Sequence, residues 1–155
     1  MLGVSLGGAA ALLAEPPLDV NGMILESVYP DIVSAISNRL EMRIPYSSLL
    51  TPLFTAQIGP RLGFSADNLA PAVAAKSVSS PVFVLSGTED LHTTPEDTQR
   101  LFNAFPGPNK ELVWFDGAAH RDLLAHDARL YRTVVKSLLT RSAFRVQEAG
   151  NDGHD

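Results

Sequence analysis

The chain contains no cysteine. This absence excludes disulfide bonds, metal sites built on thiolates and a cysteine nucleophile. It leaves the cellular compartment open, because a chain without cysteine is compatible with reducing and oxidising surroundings alike.

Positive charge is also scarce. Lys and Arg number 12 against 17 Asp and Glu, which gives a net charge of -5 at pH 7, and the basic residues are scattered singly along the chain. Binding to nucleic acid needs clustered Lys and Arg to neutralise phosphates, so no nucleic-acid partner is expected. The acidic balance by itself indicates no substrate.

Long apolar runs are missing too. The most apolar stretch, residues 1–14, is too short to span a bilayer. It carries no positive charge ahead of its apolar part and is interrupted by Gly3, Gly7 and Gly8, so a signal peptide is not expected. Localisation is left open, with the cytoplasm as the best guess.

The overall amino-acid composition is typical of one folded domain. With 155 residues, 45% of them hydrophobic and 19% charged, the chain can bury a core but is too short for two ordinary domains. Strands are expected at 1–2, 20–26, 81–86 and 110–115, and helices at 6–14, 31–42, 95–105 and 123–144. This alternation predicts an α/β fold, a parallel sheet of about four strands with helices on both faces.

Two segments fall outside this alternation. Residues 44–71 carry prolines and glycines between apolar patches, which predicts an insertion of short helices joined by turns that packs on the domain or covers a site. Residues 147–155 are polar and glycine-rich and are expected to form a flexible tail. The domain is therefore expected to span residues 1–146.

Three residues with catalytic chemistry follow predicted strands. Ser5 comes after the first strand, Asp90 after the third and His120 after the fourth. Because the carboxyl ends of parallel strands share one edge of a sheet, these residues are expected to lie at the same rim. A serine hydroxyl needs a base to become a good nucleophile, a histidine can be that base near neutral pH, and a carboxylate orients the histidine. Gly3 and Gly7 are expected to permit the sharp turn that presents Ser5.

The motifs around these residues resemble those of the α/β-hydrolases. GVSLGG (residues 3–8) resembles their G-x-S-x-G nucleophile elbow, PVFVLSGTEDLHTTPEDTQRLF (81–102) resembles their acid strand and the helix after it, and FDGAAH (115–120) resembles their final strand and histidine loop. The likeness covers nearly all of residues 1–139, and within the family it is to esterases, thioesterases and prolyl-oligopeptidase-like members.

The resemblance implies a serine hydrolase that cleaves esters, thioesters or amides of a small-molecule acyl substrate and uses neither cofactor nor metal. Ser5 would be the nucleophile, His120 the base, Asp90 its orienting acid, and the Leu6 backbone N–H part of the oxyanion hole. In that family several strands precede the elbow, so this chain resembles the C-terminal part of the fold. An upstream segment or a second chain is expected to complete the sheet.

Other interpretations remain open on the residues alone. GVSLGG could be a phosphate-binding turn, although it lacks the lysine of a P-loop. Asp90 could only form a turn, and Glu89 is a rival acid. The other histidines, His92, His126 and His154, are expected to be structural or exposed, with His92 close enough to Asp90 to line the rim. The main functional alternative is an inactive, truncated α/β-hydrolase-like fragment that serves as an interaction or structural module.

Overall fold

A computed structural model describes residues 1–44, 47–63 and 65–151, and its centre is a four-stranded parallel sheet in the order β1-β2-β3-β4. The strands are β1 (Leu2–Val4), β2 (Met23–Glu26), β3 (Val82–Gly87) and β4 (Lys110–Phe115). The prediction of an α/β fold with about four parallel strands is confirmed.

Both faces of the sheet are covered, which is why its central strands are apolar except near their carboxyl ends. On β2 and β3, every residue is buried. Alternate side chains point to opposite faces of a strand, so Leu25 and Val84 join one core, whereas Ile24 and Phe83 join the other.

The first core packs under helices that precede β4. These are α1 (Leu6–Leu12), α2 (Ile32–Glu41) and α6 (Pro95–Ala104). Asp31 caps α2 by accepting a hydrogen bond from the Ser34 N–H at 2.8 Å, and Thr94 caps α6 by accepting one from the Asp97 N–H at 3.2 Å. Each cap satisfies a backbone N–H that has no acceptor within its helix.

The segment between α2 and β3 consists of short helices. The α-helical parts are α3 (Thr51–Thr55), α4 (Ile58–Leu62) and α5 (Pro71–Ala74), and 3₁₀ turns occupy Ser47–Leu49, Ala66–Asn68 and Ala75–Ser77. Pro45, Tyr46 and Phe64, three residues of the predicted insertion, lie outside the described residues.

The second core packs under the C-terminal helices. The sequence predicts one helix over 123–144, but the structure has two, α7 (Leu123–His126) and α8 (Ala128–Asn151). Asp127 separates them because its side-chain Oδ1 accepts hydrogen bonds from the N–H groups of Arg129 and Leu130 and so starts a new helix. α8 extends through 147–151 of the expected tail, and 152–155 lie outside the described residues. None of the helices described here is both long and apolar enough to cross a membrane.

Candidate active site

Ser5 occupies a strained turn between β1 and α1. Its backbone has φ 47° and ψ -119°, a conformation with positive φ that residues other than glycine rarely adopt. The Ser5 N–H donates to the carbonyl oxygen of Glu26 at 2.8 Å, which extends the pairing of β1 with β2 and fixes the turn.

The backbone on either side of this turn packs closely where Gly3 meets Gly8. A Cβ atom on Gly3 would lie 2.6 Å from the Cα of Gly8, and one on Gly8 would overlap Cγ2 of Val28 and lie 2.9 Å from the carbonyl oxygen of Gly3. A Cβ atom on Gly7 would meet nothing within 4 Å. The expectation that Gly7 is needed to avoid a clash is therefore wrong; the need falls on Gly3 and Gly8.

Leu6 is the first residue of α1, and its side chain is exposed. Within the described residues its backbone N–H has no hydrogen-bond acceptor. This is the usual state of an N–H at the first turn of a helix, where no preceding carbonyl is available.

Asp90 lies at the carboxyl end of β3, and its carboxylate is fully buried at 0% exposure. Oδ1 accepts hydrogen bonds from the backbone N–H groups of His92 and Thr93, each at 2.9 Å, and Oδ2 lies 2.8 Å from Nδ1 of His120. Burial by itself raises the pKa of Asp90, but the hydrogen bonds from His120 and Thr93 and the charge of His120 together hold that pKa below its ordinary value. Asp90 therefore stays ionised near neutral pH.

The loops that carry Asp90 and His120 are tied together. The Glu89 N–H donates to the carbonyl oxygen of Ala118 at 2.9 Å, and the Thr88 N–H donates to that of Phe115 at 3.1 Å. At Gly87, a Cβ atom would overlap the Ala118 carbonyl. The glycine thus allows the two loops to approach closely enough for the Asp90–His120 hydrogen bond.

His120 is partly open to solvent, with 24% of its side chain exposed. An ionised carboxylate only accepts hydrogen bonds, so the contact with Asp90 places a proton on Nδ1 and leaves Nε2 to accept one. His120 also borders a cavity of about 420 Å³. The remaining lining residues are Leu2, Val4, Glu26, Ser27, Arg121, Asp122, Leu124 and Tyr131.

The structure thus brings Asp90 and His120 into direct contact and places Ser5 after β1, at the same edge of the parallel sheet and with β2 between β1 and β3. No hydrogen bond between Ser5 Oγ and His120 occurs among those of the described residues. Glu89, the rival acid, is exposed and its side chain has no bond to His120 in the described part of the chain.

The remaining histidines differ from one another. The Nε2 atom of His126 lies 2.8 Å from the carbonyl oxygen of Asp116, so this residue has a structural partner. His154 lies outside the described residues. The His92 ring, in contrast, lies against the ring of His120, with 4.8 Å between the centroids. In the sequence, its position two residues after Asp90 indicates that it lies near the rim but not that it contacts His120.

A buried carboxylate that sequence reasoning missed lies beneath the His120 loop. Glu26, at the end of β2, accepts hydrogen bonds from the Tyr131 hydroxyl at 3.0 Å and from the Leu123 N–H at 3.3 Å. Burial, with the charge of Glu26 adding to it, raises the pKa of Tyr131 to about 12. The phenol therefore remains a donor, and Glu26 links the sheet to α7 and α8. Among the described residues, no group of three or more histidines and carboxylates is placed to hold a metal ion.

No protein-family model matches the chain, and the search of curated proteins finds no match. Solved structures do match. A monoacylglycerol lipase of Paleococcus ferrophilus aligns with 90% of this chain and 67% of its own at 22% identity and a TM-score of 0.59. A Pyrococcus furiosus esterase aligns with 90% of this chain and 52% of its own at 18% identity and a TM-score of 0.65. An acylaminoacyl peptidase of Pyrococcus horikoshii aligns with 87% of this chain and 22% of its own at 16% identity and a TM-score of 0.61.

These similarities are similarities of fold. The chain spans about half to two thirds of the length of the lipase and the esterase. Its parallel sheet with helices on both faces is, accordingly, part of the α/β-hydrolase fold.

Proposed function

We propose that this chain carries the nucleophile, base and acid of a serine hydrolase that acts on ester, thioester or amide bonds. The observation that carries the proposal is the hydrogen bond from His120 Nδ1 to the buried carboxylate of Asp90. It fixes one tautomer of the imidazole and leaves Nε2 as the ring nitrogen able to take a proton. The strained backbone of Ser5 at the same edge of the sheet supports its assignment as the nucleophile.

In the proposed reaction, Ser5 Oγ attacks the carbonyl carbon of the substrate while its proton passes to His120 Nε2. The carbonyl oxygen gains the negative charge, and the Leu6 N–H donates a hydrogen bond to it. Collapse of this intermediate expels the alcohol, thiol or amine, which takes the proton from His120. Water then attacks the acyl-enzyme with His120 again as base, which releases the acid and restores Ser5.

Asp90 acts through His120 in this scheme. Its ionised carboxylate stabilises the imidazolium that forms at each proton transfer and keeps Nδ1 as the donor. Nucleophile–base hydrogen bonds are often long in unliganded enzymes and tighten when substrate binds, so the proposal does not require a Ser5–His120 bond in the free chain.

The adjacent cavity borders His120, although Ser5 is not among its lining residues. Leu2, Val4 and Leu124 contribute apolar surface next to His120. Most small-molecule sites combine apolar walls with a few polar groups in this way. The lipase, esterase and peptidase that share the fold act on acyl compounds by their names, which fits the same reaction class.

The test is covalent labelling by a fluorophosphonate, followed by intact-mass measurement. The 155-residue chain and a chain extended upstream are incubated with the probe, each alongside its Ser5→Ala variant. We expect one adduct per chain that Ser5→Ala abolishes. Ser37→Ala, which removes a hydroxyl on α2 whose bond to Glu41 is 3.5 Å long and exposed, serves as the matched control and should label normally.

Absence of labelling in both lengths would overturn the nucleophile assignment and favour the interaction module. Labelling of the extended chain alone would show that residues outside these 155 supply a part of the site, such as a second oxyanion N–H.

A further inference from the structure

His92 is fixed next to His120 through its backbone. Its N–H donates to Asp90 Oδ1 at 2.9 Å, and its carbonyl oxygen accepts from Asn38 Nδ2 at 3.2 Å. The same Asn38 amide donates to Asp97 Oδ2 at 2.6 Å. Asn38 on α2 therefore anchors the backbone of His92, and Asn38 is itself bound to Asp97 on α6.

The ring of His92 is placed by this anchoring. Its centroid lies 4.8 Å from that of His120, and the two ring planes are inclined by 37°. This separation is within the range in which aromatic rings attract each other. His120 has one hydrogen bond at Nδ1 and is partly exposed, so the neighbouring ring limits the directions in which it can turn.

We propose that His92 is a positioning residue for His120: its uncharged ring keeps the imidazole on Asp90 and lies against it when it gains a proton. The proposal rests on the proposed function for its effect on catalysis, but the contact itself is a property of the folded chain. A neutral aromatic ring beside a cation is attractive, whereas two imidazolium rings at this distance repel each other.

The charges around His92 favour its neutral form. Burial lowers its pKa, and the positive charges of His120, Arg39 and Arg43 lower it further, whereas Asp90 raises it. Asp97, on α6, is linked to His92 through the side chain of Asn38, which donates hydrogen bonds to both. The net effect is a lowered pKa for His92, so its ring is uncharged at neutral pH.

The first test uses nitrogen-15 spectra of the histidine side chains. His92→Phe keeps a ring at this position, His92→Ala removes it, and His126→Phe is the matched control because His126 contacts Asp116 instead of His120. We expect His120 to carry its proton on Nδ1 in the wild type, in His92→Phe and in His126→Phe. In His92→Ala we expect His120 to turn away from Asp90 part of the time, and so to populate both tautomers. A single Nδ1–H tautomer in His92→Ala would overturn the proposal.

The second test measures the contact in solution by pH titration of the same signals. In His120→Gln the neighbouring charge that helps to lower the pKa of His92 is lost, so the titration midpoint of His92 should rise. The midpoint of His126 should not move. An unchanged His92 midpoint would show that the rings do not interact and would refute the proposal.

Rates of fluorophosphonate labelling test whether the contact of His92 with His120 affects catalysis. His92→Ala should label about 10-fold more slowly, because small displacements of a catalytic group cost rate steeply, and His92→Phe should stay within about 3-fold of the wild type. Equal rates for the Ala and Phe variants would contradict a positioning role. If the wild type does not label at all, the proposed function fails, and the tautomer and titration measurements still decide the role of His92.

Discussion

At the scale of single residues, the candidate site depends on the buried carboxylate of Asp90, both of whose oxygens accept hydrogen bonds. Two backbone N–H groups of its own loop occupy Oδ1 of Asp90, and His120 occupies Oδ2. Because N–H groups of its own loop bind Oδ1, the orientation of the Asp90 carboxylate is fixed without any contribution from His120. The carboxylate can therefore determine which ring nitrogen of His120 carries the proton.

Asp90→Asn tests this directly. The backbone donors would keep the amide oxygen at Oδ1, so the amide NH₂ would face His120 and force Nδ1 to accept a hydrogen bond. The proton would then move to Nε2, which could no longer accept one from Ser5. If the proposed function holds, we expect labelling by fluorophosphonate to slow by roughly 10,000-fold, the cost of an Asp-to-Asn change in a serine protease triad. Glu89→Gln, one residue away and exposed, should leave the rate unchanged; a comparable loss there would identify Glu89 as the acid.

At the scale of secondary-structure elements, the crossing of β1 and α1 determines how Ser5 is presented. Gly3 and Gly8 are in contact across this crossing, and Val28 covers Gly8 from the loop after β2. Packing this tight leaves no room for a methyl group on Gly8, although the adjacent Gly7 faces open space.

Gly7 and Gly8 are adjacent in sequence but differ in packing, so alanine substitutions at the two positions can be compared directly. Gly8→Ala should lower the free energy of unfolding by about 1–3 kcal/mol, the usual cost of inserting an extra carbon into a packed contact. Gly7→Ala should be neutral or raise stability by up to about 1 kcal/mol, because alanine favours a helix over glycine. Urea unfolding followed by circular dichroism measures both. Equal losses in the two variants would contradict the packing described here.

Local sequence pattern was sufficient for most elements but not for features that depend on distant residues. β4 lies at Lys110–Phe115, as the strand expected at 110–115 predicts. The helix break at Asp127 was missed because a helix-capping side chain has no effect on apolar spacing. Sequence pattern places Glu26 only at the end of an apolar strand, since its partner Tyr131 is 105 positions away.

The same limit applies to the candidate site. Ser5, Asp90 and His120 could be selected from the sequence because each follows a strand and belongs to a short motif. The contact of His92 with His120 could not be predicted from the sequence. It depends on where the loops after β3 and β4 meet and on the hydrogen bond from Asn38 on α2 to the His92 backbone. Periodicity indicates where a loop begins but not which ring it places beside another.

At the scale of the whole molecule, the two edges of the sheet differ. β1 and β4 are the outer strands of the described sheet. On β1, Leu2 is 54% and Val4 is 49% exposed, whereas β4 has no large apolar side chain among those that are strongly exposed. An outer strand with exposed apolar side chains and unpaired backbone groups readily pairs with another strand. We propose that an upstream segment or a second chain pairs with β1.

The 155-residue chain should therefore self-associate through β1. Light scattering after size-exclusion chromatography should give an average mass that rises with protein concentration, and Leu2→Lys should shift it towards the mass of one chain, because a charge on an edge strand opposes strand pairing. Leu139→Lys, which places the same charge at a 63% exposed leucine on α8, should leave association unchanged. If the wild type is monomeric at every concentration, or if both lysine variants act alike, β1 is not the surface through which the chain associates.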